Sequence, residues 1–159
     1  MSESSDSDAG FEFPMGEFTA WFPKDRLYGK NHMWILDRGG GRSRLGLTAY
    51  AVRLLQDVYF LDWTVDVRAS LSSDKSIGSI ESKKAESELY VPANGTLATI
   101  NDEVLDEPTL INAEPYDDGW LIELDRMEQE PLMTPEQYAE HLVKAWKVAE
   151  VTIRGQVNR

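Results

Sequence analysis

Ile77-Gly78-Ser79-Ile80-Glu81-Ser82-Lys83-Lys84-Ala85-Glu86-Ser87-Glu88-Leu89-Tyr90-Val91 reads as a β-hairpin with lysine at its tip, because two arms of similar length, 77–82 and 85–91, flank the Lys83-Lys84 pair. Pro92 ends the return arm, since proline has no N–H to give to a strand ladder. Asn94-Gly95 supplies the residues that a tight two-residue turn requires, and residues 96–100 form the next expected strand. The Asn94-Gly95-Thr96 sequon signifies only that turn.

Downstream, residues 101–112 make a short, acidic, partly helical connection. Pro115-Tyr116-Asp117-Asp118-Gly119 is a turn, and Trp120-Leu121-Ile122-Glu123-Leu124 closes the sheet as a strand. Thr134-Pro135-Glu136-Gln137 combines a capping hydroxyl, a proline at the first helical position and a glutamine three residues after the cap, so a C-terminal helix begins there. Tyr138, Leu142, Ala145 and Ala149 share one face of it with Trp146 beside them, which predicts packing against the body or a partner.

Upstream, Asn31-His32-Met33-Trp34-Ile35-Leu36, the turn Asp37-Arg38-Gly39-Gly40-Gly41 and Leu45-Gly46-Leu47 read as strand, turn and returning strand. No GK[ST] follows the glycines, so they do not form a phosphate loop. Thr48 caps a short helix carrying Ala49, Val52, Leu55 and Tyr59 at helical spacing, before the chain turns extended at 58–61; a polar loop at 68–76 leads back to the hairpin. Residues 1–16 hold too little apolar surface to offset the entropy of ordering them and are expected to form a flexible tail. Phe11, Phe13, Phe18, Trp21 and Phe22 form an aromatic cluster expected to pack on the body. The expected organisation is therefore an acidic tail with that cluster over 1–22, one domain over 23–133, and a helix with extension over 134–159.

Sixteen basic residues against twenty-eight acidic ones give a net charge of −12, which argues against nucleic acid or anionic membrane as partners, because such surfaces are held by Lys and Arg. There is no cysteine, hence no disulfide, thiolate metal site or cysteine nucleophile, and any thiol chemistry must come from a cofactor. Neither a signal peptide nor a membrane-length apolar run is apparent, so a soluble cytoplasmic protein is expected. His32 and His141 have no companion at metal-ligand spacing and are expected to be structural or surface residues. Asp102, Glu103, Asp106, Glu107, Asp117 and Asp118 lack the periodicity of a calcium loop and read as a solvated acidic face. No Ser-His-Asp set is identifiable, and no catalytic residue is expected.

Glu81-Ser82-Lys83-Lys84-Ala85-Glu86-Ser87-Glu88-Leu89-Tyr90 resembles the lipoylation hairpin of glycine-cleavage H proteins, Glu-Ser-x-Lys-Ala-x-Ser-(Asp/Glu)-Leu-Tyr, with every fixed position filled. The resemblance continues through Pro92, Gly95, Asn101-Asp102-Glu103-Val104-Leu105, Pro108-x-Leu110-Ile111-Asn112 and Pro115-Tyr116-x-Asp118-Gly119-Trp120-Leu121-Ile122. It extends more weakly to His32-x-Trp34, Gly46-Leu47-Thr48-x-Tyr50-Ala51 and Met133-x-Pro135-Glu136-x-Tyr138. It implies a mainly β fold with flanking helices, a lipoyl-domain-like barrel-sandwich hybrid of two small antiparallel sheets plus the C-terminal helix.

It also implies lipoic acid bound covalently on Lys84, with Glu81, Ser82, Ala85, Glu88 and Tyr90 as the hairpin context, and a swinging-arm carrier without catalysis of its own. The implied partners are a lipoate-attaching ligase or transferase, glycine decarboxylase, aminomethyltransferase and dihydrolipoamide dehydrogenase; a monomer is expected. Amide formation removes the lysine charge, and Glu81, Glu86 and Glu88 are expected to stabilise the ammonium before it.

The chain departs from the family pattern at three places. The family's His-Glu-Trp is His32-Met33-Trp34 here, and methionine cannot accept a useful hydrogen bond from an ammonium, leaving Glu88 as the remaining acid. The stretch between Leu61 and Ile77 is longer and lacks the family's Leu-Pro, and the C-terminus runs on. Met33 keeps one alternative open, a lipoate carrier of another pathway such as heterodisulfide-reductase-like sulfur oxidation; a second, an unlipoylated interaction module docking through the acidic face and C-terminal helix, requires a lysine that stays bare.

Overall fold

The computed structural model describes residues 9–157, so the start of the expected tail lies outside the described residues. Strands β1 (Gly10–Met15) and β2 (Phe18–Pro23) pair as a hairpin. A six-stranded antiparallel sheet then takes β3 (Leu27–Tyr28), β4 (Met33–Gly39), β5 (Arg42–Leu47), β7 (Ser70–Leu71), β10 (Gly95–Ile100) and β11 (Ile122–Asp125), in the spatial order β3-β4-β5-β11-β10-β7. A three-stranded sheet holds β6 (Val58–Trp63), β8 (Gly78–Ser82) and β9 (Glu86–Leu89), with β8 central. Helices α1 (Ala49–Leu55), α2 (Asp102–Asp106), α3 (Leu110–Ala113) and α4 (Pro135–Val157) accompany the sheets among the described residues.

Strand β4 shows why two cores form. Side chains alternate across a strand, and here both faces are apolar: Met33 and Ile35 enter one buried cluster, whereas Trp34 and Leu36 join a second. The first cluster lies between the two larger sheets, where Leu45, Leu47, Leu97 and Leu124 meet Val58, Leu61, Ile80 and Leu89. The second is mostly aromatic and gathers Phe13 and Phe22 of the hairpin, Tyr28, Trp34, Tyr50, and Tyr138 with Leu142 of α4. Tyr28 and Tyr138 stack at 4.4 Å between ring centroids, and the Tyr28 hydroxyl donates to the Pro23 carbonyl (2.6 Å). An aromatic pair of this kind contributes about 0.5–1.5 kcal/mol beyond the area it buries.

Local signals set most element ends. The Thr134 hydroxyl accepts from Gln137 N (3.2 Å) while Gln137 Oε1 accepts from Thr134 N (2.9 Å), the reciprocal cap expected at the start of α4. Thr48 caps α1 and is fully buried, its hydroxyl 2.9 Å from that of Tyr138. Gly39, Gly40 and Gly41 have φ of +86°, +63° and +79°, a left-handed run that glycine adopts without a Cβ penalty, and so turn β4 into β5.

Three expectations need correction. From Gly10 onward the expected tail is a strand: Phe13 and Met15, with Ala20 and Phe22 opposite, give the hairpin a buried face that offsets its ordering. Asn94-Gly95 does not make a hairpin turn, since neither residue has positive φ and β10 pairs with β11 and β7 rather than with β9. The chain instead crosses between sheets there, and the Asn94 side chain stitches loops, accepting from Ser73 N (2.9 Å) and donating to Glu128 (3.2 Å). Finally, the polar loop at 68–76 contains strand β7, with Leu71 buried.

Candidate functional site

Antiparallel pairing of β8 and β9 runs from Gly78 opposite Leu89 to Glu81 opposite Glu86, which leaves Ser82, Lys83, Lys84 and Ala85 to make the turn. Ser82 staples it. Its N–H and its hydroxyl both donate to the Ala85 carbonyl (2.9 and 3.0 Å), and the hydroxyl accepts from Ala85 N (3.3 Å). The Lys83 N–H donates to the Asp57 carbonyl (2.8 Å), so the turn is fastened to the loop before β6. Both lysines are exposed, and among the described residues neither forms an ion pair. The acids expected to stabilise the ammonium therefore do not contact it: Glu81 and Glu86 face solvent opposite each other, and Glu88 is engaged elsewhere.

That engagement is with Tyr90, whose hydroxyl donates to Glu88 Oε2 (3.1 Å); the neighbouring carboxylate raises the phenol's pKa. The base of the return arm is tied to the body, because Asn31 Nδ2 donates to the Tyr90 carbonyl (2.7 Å), and Ile77 N closes the two arms on each other by donating to the Leu89 carbonyl (2.8 Å). Glu81, Ser82, Lys84, Ala85, Glu88 and Tyr90 thus stand together on one hairpin. Asp57 and Asn31, distant in sequence from the tip, escaped the sequence reading; a backbone carbonyl and a loop amide leave no local pattern to find.

Met33 lies in the core cluster that also holds Ile80 and Leu89 of the hairpin. It is 1 % exposed in the main core, so the position at which the family pattern carries glutamate presents no polar group near the hairpin. His32 and His141 approach to 5.3 Å between ring centroids, but their hydrogen-bonding contacts are structural: His32 Nδ1 lies 2.8 Å from the Tyr138 hydroxyl, and His141 Nε2 lies 3.2 Å from the Lys30 carbonyl. Burial, then the neighbouring His141, lowers the His32 pKa to about 4. Among the described residues no group of three or more His, Cys, Asp or Glu could hold a metal ion.

A β sandwich with an exposed lysine on a stapled hairpin has the architecture of a carrier module. The family model for the glycine cleavage H-protein matches residues 26–145. Among relatives, the glycine cleavage system H protein of Bacillus subtilis (strain 168) is 40% identical over 121 residues, covering 74% of this chain and 94% of its own. That of Micrococcus luteus is 38% identical over 123 residues, covering 75% and 95%. The crystal structure of a glycine cleavage system H protein from Mycobacterium marinum superposes with a TM-score of 0.66 at 33% identity, covering 75% of this chain and 97% of that one. The chain belongs to the glycine cleavage H-protein family, with its lipoyl-domain-like fold, and is a carrier subunit rather than a catalyst. The β1–β2 hairpin and the end of α4 lie outside the family match.

Proposed function

We propose that Lys84 carries lipoate as an amide on Nζ and that the chain ferries an aminomethyl group among glycine decarboxylase, aminomethyltransferase and dihydrolipoamide dehydrogenase. The observation that carries this reading is the exposed Lys84 at a tip held by Ser82, Ala85 and Asp57, within a hairpin that fills each fixed position of the family pattern. Lipoate supplies, when bound, a dithiolane that can accept and release the transferred group. The residues of this chain do the rest: the staple holds the anchor in one orientation, and Glu88, kept in place by Tyr90, stays available as an acceptor for a cationic cargo. Each relative reported above is a glycine cleavage protein, which ranks the sulfur-pathway and unmodified-module alternatives behind this one. The same reading takes the carrier as a cytoplasmic monomer; no helix among the described residues is long and apolar enough to cross a membrane.

Intact-mass and peptide mapping after expression with lipoate test the attachment. The expected result is one lipoyl group on Lys84, lost in Lys84→Arg and kept in Lys83→Arg; a bare Lys84 overturns the reading. Reconstitution with the three enzymes tests the cargo, with glycine-dependent CO₂ exchange expected from the lipoylated protein and its absence counting against an aminomethyl carrier.

A further inference from the structure

Strand β6 carries an extra residue beside the lysine tip. Val58 pairs with Ser82 and Phe60 with Glu81, so Tyr59 has no partner on β8. A bulge of this kind breaks the in–out alternation of a strand. Here it leaves two consecutive aromatic side chains in solvent, Tyr59 at 61 % and Phe60 at 50 % exposed, between the buried Val58 and Leu61. Leu54, near the end of α1, is a further exposed apolar residue just before this strand. The register puts Phe60, Glu81 and Glu86 in one row across the outer face of the three-stranded sheet, the last row before the turn. Exposed Asp57, just before β6, borders the turn on the same flank, its carbonyl accepting from the Lys83 N–H. The result is an aromatic pair beside acids, contiguous with the anchor.

We propose that Tyr59 and Phe60 are the docking surface for the enzyme that attaches lipoate to Lys84, received in an apolar pocket whose basic rim faces Asp57, Glu81 and Glu86. The inference rests on the Lys84 reading. The attaching enzyme is the occupant because of where its chemistry happens. The lysine amine attacks the carbonyl of an activated lipoyl donor, an acyl adenylate or thioester; the C–N bond forms, the bond to adenylate or thiol breaks, and the proton leaves the nitrogen for solvent. This enzyme must bring its donor to Nζ itself and so must cover the residues around the tip. Aromatic side chains are favoured as anchors of such contacts because they bury much area at little entropic cost, and like-signed acids at the rim select a basic partner and exclude an acidic one.

The test follows lipoylation of the apo protein by a purified lipoate–protein ligase with lipoate and ATP, read by intact mass. Y59S/F60S is expected to raise KM at least tenfold with little change in kcat, and Y59L/F60L to recover part of the loss. Val143→Ser, at an exposed apolar site on α4, is expected to match the unaltered protein. Added salt should raise KM for the unaltered protein. Once fully lipoylated, Y59S/F60S should be reduced by dihydrolipoamide dehydrogenase at the normal rate. Unchanged ligation of Y59S/F60S overturns the proposal, as does an equal loss in the dehydrogenase step. Should Y59S/F60S fail to fold, Tyr59→Ser alone serves with the same outcomes. If the unaltered chain takes no lipoate on Lys84, the attachment reading falls; if it does and Y59S/F60S keeps pace, only the docking surface falls.

Discussion

The Lys83 N–H and the Asp57 carbonyl, 2.8 Å apart, join the tip of the lysine hairpin to the loop before β6. Replacing Lys83 by proline removes that donor while leaving the Ser82–Ala85 staple in place. The expected outcome is faster amide exchange at Lys84 and Ala85, a stability loss of about 1 kcal/mol, and slower attachment of lipoate as the anchor samples more orientations. Hydrogen exchange and a ligation assay on the same sample check all three; unchanged exchange would show that the tether does not order the tip.

Gly78 sits in the central strand of the small sheet, where an added Cβ would fall 2.2 Å from the Asp62 carbonyl oxygen and 3.1 Å from the Trp63 Cα. Backbone cannot move aside as a flexible side chain can. Gly78→Ala is therefore expected to cost about 1–3 kcal/mol, seen as a lower urea midpoint with an unchanged slope.

His32 links pH to stability. Its pKa falls from the ordinary 6.5 to about 4 on folding, through burial and then the nearby His141. Between those values the unfolded chain binds a proton that the folded chain refuses. The contribution is thus complete above pH 6.5, is lost as pH falls through the window, and levels off below about 4. It amounts to on the order of 3 kcal/mol. Urea titrations from pH 4 to 7 on the unaltered protein and on His32→Asn, which tolerates the left-handed φ of +66°, should show a difference that shrinks as pH drops. A pH-independent difference would contradict the assignment.

Met33→Glu restores the residue type of the family pattern at a site this chain has filled with apolar neighbours. With 1 % exposure in the main core, an unpaired carboxylate there should cost on the order of 3 kcal/mol at neutral pH, and less as acid protonates it. Thermal unfolding at two pH values measures this. A stable Met33→Glu protein would mean that position 33 can turn toward the surface.

Local signals made much of this legible before any coordinates. The lysine hairpin followed from its two arms and the motif, and the start of α4 followed from the Thr134–Gln137 pair. The first hairpin was readable too: Phe11, Phe13 and Met15, then Phe18, Ala20 and Phe22, recur at every second residue on either side of Gly16. The acidic run before them outweighed that alternation in a reading by composition. Other features carry no local trace. Asn94-Gly95 has the chemistry of a tight turn, yet the Asn94 side chain is spent on Ser73 and Glu128. The pairing of β5 with β11, and the carbonyl that Asp57 lends to the tip, arise only when distant segments meet.

Strand β4 sends alternate side chains into different clusters, Met33 and Ile35 into one and Trp34 and Leu36 into the other. Neither apolar mass can come apart without exposing the back of the wall it shares with the other. The appended aromatic layer and the part that presents Lys84 should therefore melt as a single cooperative unit, with the calorimetric enthalpy equal to the van't Hoff value; a separate early transition in the scan would show them to be independent.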